Sequence, residues 1–153
     1  MAIHKIDGVD GVVNYPKKFV TLWADVAITK GDVVCVSTTT TYGAGLSVTN
    51  TADSLADGSF RVAGVAAETV AIGQPVKVQT AGYNADATAG AAAIAVMLEV
   101  QFDLASAAGK AGCLMAAAAP DATHKAFGLV VDAFSAAEQA DGAILIYDHG
   151  MFG

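Results

Sequence analysis

A short pattern that occurs twice sets the strongest constraint on how this chain folds. Ile28-Thr-Lys-Gly31-Asp-Val-Val34-Cys-Val36 and Val70-Ala-Ile-Gly73-Gln-Pro-Val76-Lys-Val78 share Val or Ile, a glycine three residues on, then Asp or Gln, and a closing Val-x-Val. The glycine suits a turn with positive φ, and Val-x-Val is a half-buried strand with period-2 alternation. Each copy therefore reads as a turn entering a strand. Two copies fall short of the three stacked units a solenoid needs, so the repeat predicts one small β domain built from similar corners. With 153 residues, 54% of them hydrophobic and 15% charged, the chain has the material for a single globular core. A domain of this length buries roughly 68–70% of its unfolded surface and needs no metal or disulfide to hold it.

Further strands are expected at Val33–Ser37, Leu46–Thr49, Ser59–Val65, Phe127–Asp132 and Ala143–Asp148. The separators 38–45 and 51–58 are small and polar, and the Thr38–Thr41 run with Tyr42 reads as a solvated strand or loop tip. The most regular alternation joins Ile94, Val96, Leu98, Val100 and Phe102, which predicts a strand over 94–102. Leu104–Ala119 is rich in alanine but broken by Gly109 and Gly112, so a frayed helix and an irregular loop fit it equally. Ser135-Ala-Ala-Glu138 matches a capping box and predicts one helical turn over 135–141. Residues 1–24 read as an extended N-terminal arm, with Pro16 limiting it to an edge or a strand start, and 25–153 as one β domain with an Ala-rich insertion around 85–120.

Charge and motif content exclude several functions. Eight Lys and Arg against fifteen Asp and Glu give a net charge of −7, with no basic cluster to neutralise phosphates, so nucleic acid is not an expected partner. The most apolar stretch, Ala87–Leu98, is too short for the ~20 apolar residues of a membrane helix, so no membrane is expected either. The first ten residues carry His4, Lys5, Asp7 and Asp10 without the apolar run of a secretory signal, and synthesis in a cytoplasm is expected. Cys35 and Cys113 form no CxxC pair and read as small buried hydrophobes. His4, His124 and His149 lie in separate segments, so no metal site is expected. Gly109-Lys110 lacks the upstream glycine and the following Ser or Thr of a phosphate loop, and no serine stands in a nucleophile elbow. No catalytic residue and no cofactor is expected. Asp121 and His124, after Pro120, are the polar cluster to test first for an enzyme.

What remains suits interaction. Tyr15, Phe19 and Trp23 in the leading stretch, and Met151 and Phe152 at the end, are candidate protein-interface residues, since Trp and Tyr dominate interface hot spots. Core packing is an equal reading of the first three. Trp23, Tyr42 or Tyr83 could alternatively form the stacking platform of a carbohydrate-binding adhesin module.

The run Gly64-Val-Ala-Ala-Glu-Thr-Val-Ala-Ile-Gly-Gln-Pro-Val-Lys-Val-Gln-Thr-Ala-Gly82 resembles the capsid decoration, or cement, proteins of tailed bacteriophages. Ile28–Val34 matches the segment that precedes it in that family, and Phe127–Asp132 and Asp141–Ile146 are similar to its C-terminal strands. The resemblance covers about half the chain, and the Ala-rich stretch Ala85–Pro120 departs from the family's shorter members. It implies a mainly β, compact sandwich- or barrel-like domain of the β-tulip type, with at most one or two short helices. It also implies a structural virion protein on the capsid exterior, bound to the major capsid protein and to itself as a homotrimer, without catalysis. A tail- or fibre-associated β protein is the alternative within a virion.

Overall fold

The computed structural model describes residues 16–37, 41–42, 45–50, 62–90, 92–103, 112–116, 126–136 and 142–148. They form nine strands: β1 (Lys18–Ala24), β2 (Val33–Val36), β3 (Ser47–Thr49), β4 (Val62–Ala66), β5 (Pro75–Asn84), β6 (Glu99–Asp103), β7 (Cys113–Ala116), β8 (Gly128–Asp132) and β9 (Ala143–Ile146). Among the described residues there is no helix. Strands β1, β3, β2, β4 and β5 lie side by side in that order, and β1 pairs again with β5 to close a five-stranded barrel. Closure removes the free edges that an open sheet would present. Beyond Ala81, β5 leaves the barrel wall and pairs with β9, continuing the ladder into β8, β6 and β7. The mainly β, barrel-like domain expected from the sequence is the fold that forms.

The barrel interior is filled by Leu22, Ala24, Ile28, Val34, Val48, Ala63, Ala66, Val76 and Val78. Both Val-x-Val segments of the repeat put their first valine here, Val34 from β2 and Val76 from β5. The two copies are related by 42 positions, Ile28 to Val70, and they meet where that relation maps each onto the other. Ile28 and Val70 bridge through reciprocal N–H···O bonds of 3.0 and 2.9 Å. Around this point the hydrogen bonds come in matched pairs. The Gly31 amide donates to the Ala66 carbonyl at 2.9 Å and the Gly73 amide to Ala24 at 2.7 Å. Ala66 in turn donates to Asp32 at 2.8 Å and Ala24 to Gln74 at 2.9 Å. Strand registers obey the same relation, with Trp23 opposite Pro75 and Val65 opposite Val33. The sequence repeat is thus an internal pseudo-twofold of the barrel. The symmetry ends at β3, which enters between β1 and β2, whereas β4 and β5 pair directly.

A second core lies outside the barrel. Val33, Cys35 and Val65 point outward from β2 and β4 and pack with Ile94, Val100, Phe102, Phe127, Val130, Phe134, Ile144 and Ile146. The second sheet is therefore a cover over one wall of the barrel. Ala87 and Ala89 belong to this core, so the Ala-rich segment expected as an insertion supplies buried small residues and strands β6 and β7. Asn84 turns the chain toward it: its Oδ1 accepts from the Asp86 and Ala87 amides at 2.9 and 2.8 Å, while its Nδ2 donates to Gln79 Oε1 at 3.0 Å.

Two local expectations are corrected. The strand expected over 94–102 is confined to Glu99–Asp103, because 95–98 is a turn with Met97 at φ 70° and Leu98 donating to the Ala95 carbonyl. Ile94, Val100 and Phe102 keep the buried parity, while Val96 and Leu98 are turned out. In Leu104–Ala119, expected as helix or loop, Cys113–Ala116 is instead β7, drawn into extension by pairing with β6. The remainder of that segment, residues 137–141 of the helical turn expected over 135–141, and most of the stretch assigned to an N-terminal arm (1–15) lie outside the described residues, while Ser135 and Ala136 are not helical. Residues 18–24 of that stretch are β1, paired with β3 and β5.

Candidate functional site: an aromatic face on the barrel

The pseudo-twofold defines two equivalent outer walls, and they differ in what covers them. On the β2–β4 wall Val33, Cys35 and Val65 are fully buried beneath the second sheet. Their counterparts on the β1–β5 wall are Pro75, Lys77 and Trp23, all exposed. Strand β1 alternates about its axis: Leu22 and Ala24 face the lumen, and Phe19, Thr21 and Trp23 face out. Phe19 and Trp23 are each 40% exposed.

This wall is organised by aromatic contacts. The Trp23 and Tyr42 rings stack with centroids 5.5 Å apart and planes 15° from parallel. The Lys77 ammonium stands 4.5 Å from the centre of the Phe19 ring, a cation–π distance. Gly73 makes room for Tyr42: a Cβ there would lie 2.9 Å from its hydroxyl. Ile72, beside Gly73 in the same turn, and Leu46, whose carbonyl accepts from the Trp23 amide at 2.9 Å, are exposed at the margin. Thus one wall gathers Phe19, Trp23, Tyr42, Leu46 and Ile72 from three separate stretches of sequence.

Of the interface residues expected from the sequence, Phe19 and Trp23 share this wall, while Tyr15, Met151 and Phe152 lie outside the described residues. Of the three aromatics considered for a stacking platform, Trp23 and Tyr42 meet; Tyr83 sits on β5 beyond the barrel, with the Lys17 ammonium 5.9 Å from its ring centre. Sequence reasoning missed Tyr42 as the partner of Trp23, because a loop residue carries no strand periodicity to place it. It also missed Leu46 and Ile72.

Asp32, buried, accepts from the Thr29 amide at 2.9 Å and from Asn50 Nδ2 at 2.7 Å, bracing the first repeat turn. Both cysteines are free and buried, as expected, and burial pushes the Cys35 thiol well above the ordinary range, away from the reactive thiolate. Among the described residues no three His, Cys, Asp or Glu side chains converge as a metal-ligand set. His4, Asp121, His124 and His149 lie outside the described residues. A hollow of about 290 Å³ between β5 and β9, lined by Pro16, Ala81, Gly82, Leu145, Ile146 and Tyr147 and bounded by the Lys18–Asp148 ion pair, is mostly apolar. It lacks the convergent polar groups that orient a small ligand.

No protein-family model matches the chain, and no curated protein matches it. Among solved structures, the fold is similar to that of the N base of the head fiber protein gp8.5 of bacteriophage phi29, with a TM-score of 0.54 and 14% sequence identity. The likeness covers 86% of this chain and 95% of the fiber base, so it is a likeness of the overall fold and not of one part of it.

Proposed function

We propose that the chain is a structural protein of a tailed-phage virion, bound to the outer surface of the capsid and stabilising it by bridging capsomers. The observation that carries this reading is the fold likeness to a phage head-fiber base, which extends over nearly the whole of both chains. The order of glycine-and-strand segments resembling capsid decoration proteins supports it, and so does the bare aromatic wall of the barrel. Its partners are the major capsid protein and further copies of itself, as a homotrimer. It uses neither catalysis nor a cofactor. Repeated on a lattice, a modest contact at each copy adds up to a large total stabilisation.

The same likeness favours one second reading, the base of a fibre projecting from the head. Copy number separates the two. Quantitative mass spectrometry of purified particles is expected to find this chain near-stoichiometric with the major coat protein. A few copies per particle would support the fibre base, and absence from particles would overturn both.

A further inference from the structure

Every exposed large hydrophobic side chain among the described residues falls in one of two places. Phe19, Trp23, Leu46 and Ile72 surround the bare barrel wall; Val96, Met97 and Leu98 occupy the turn that leads into β6. Since both groups are exposed, neither covers the other within one chain. A run of three outward apolar residues is unfavourable in water unless something uses it.

The turn is held rigidly. Ile94 and Phe134 bridge with reciprocal bonds of 3.1 and 3.0 Å, the Met97 amide donates to the Val130 carbonyl at 2.9 Å, and Val130 donates to Leu98 at 2.9 Å. Met97 takes a left-handed φ of 70° and is 71% exposed. A side-chain-bearing residue kept in a strained conformation by its surroundings, at an exposed tip, points to a use for that tip.

The symmetry-related wall is covered in cis by apolar side chains of the second sheet, packed on Val33, Cys35 and Val65. We propose that the Trp23 wall is covered in trans by the Val96–Leu98 tip of a second copy of this chain. Charge favours the match: Lys77 stands on the wall, and Glu99 directly follows the tip at the start of β6. Because wall and tip are different surfaces, the contact is head-to-tail, and it closes into a ring only where the rotation between copies permits. The inference deepens the proposal that copies of this chain associate, and it assigns the surfaces that do so.

Analytical ultracentrifugation of the full chain tests it, with wild type, Trp23→Glu, Met97→Glu and an equimolar mixture of the two variants. Wild type is expected to associate, and each variant alone to be monomeric, its dissociation constant raised at least about 30-fold as for a hot-spot anchor. The mixture keeps one intact wall and one intact tip and is expected to form a complex of two copies and no larger. Phe19→Glu and Leu98→Glu give a second pair with the same expectation, and a thermal melt of each monomer checks its fold. Trp23 is the chain's one tryptophan, so its emission should shift to the blue as wild type associates, and should not shift with Met97→Glu. A monomeric wild type would overturn the proposal; so would wild-type association by Met97→Glu, or a mixture that stays monomeric. Particle composition is measured separately, so failure here leaves the virion reading to stand or fall on its own test.

Discussion

At the scale of single residues, the two repeat glycines occupy equivalent positions in different surroundings. Gly31 and Gly73 have φ of 90° and 78°, a region that costs a residue with a Cβ roughly 1–2 kcal/mol. At Gly31 an added Cβ would also come within 2.2 Å of the Asp86 carbonyl oxygen, which belongs to the backbone and cannot step aside. At Gly73 it would meet only the tip of the half-buried Tyr42 ring, the far end of a side chain, which can shift at the expense of its stack on Trp23. Urea denaturation is therefore expected to show Gly31→Ala losing clearly more stability than Gly73→Ala. The milder substitution should instead disturb the Trp23–Tyr42 stack and alter Trp23 fluorescence. Equal losses would mean that backbone strain alone sets the cost. The sequence already marked both glycines as turn residues, since the Val-x-Val that follows needs a tight entry; it held no sign of which neighbour each would face, because Asp86 and Tyr42 are brought in by the fold.

At the scale of elements, the strands legible in the sequence are those whose pattern lies within one unbroken run of residues. Val33–Val36, Ser47–Thr49, Gly128–Asp132 and Ala143–Ile146 fall within the expected spans because their alternation or apolar run continues without a break. The 94–102 segment misled because Met97 breaks the pleat without the glycine that usually announces a left-handed residue. Cys113–Ala116 was illegible as β7 because its extended form is dictated by pairing with β6, inside a segment whose alanine-rich composition carries no strand signal. Met97→Gly should relieve the turn and stabilise the monomer by up to about 1 kcal/mol, read from urea denaturation at low concentration. The same substitution should weaken self-association, since it removes the tip's most exposed side chain. The second sheet carries a titration signature as well. Tyr147 holds its phenolic proton above the ordinary tyrosine range through burial, its 2.9 Å hydrogen bond to Glu99 and the charge of that carboxylate. Tyr83 does so through burial and the charge of Asp132. A group whose pKa is raised by folding stabilises the fold fully below its unfolded value and loses that contribution as pH rises through the folded one. Stability should accordingly fall as pH climbs above about 10, the unfolded tyrosine value, and Tyr147→Phe should make the fall shallower.

At the scale of the whole molecule, the barrel and the second sheet are joined in two ways that bind their stabilities together. Strand β5 runs through both, with Val76–Gln79 in the barrel wall and Gly82–Asn84 paired to β9. The outward side chains Val33, Cys35 and Val65 are also shared, since they belong to barrel strands yet are buried only by the sheet. Removing the sheet would expose that wall as the Trp23 wall is exposed already, leaving the barrel with two apolar faces in water. Neither part is therefore expected to persist without the other. Unfolding at concentrations where the chain is monomeric should be one transition. Trp23 fluorescence reads the barrel alone, and far-UV circular dichroism reads all the strands, so the two urea curves should coincide in midpoint and slope. A barrel that keeps its tryptophan signal after part of the dichroism is lost would show that the sheet is a detachable cover, and that the wall beneath it tolerates exposure. Coincident curves would show that the barrel and the sheet that buries Val33, Cys35 and Val65 form one cooperative unit.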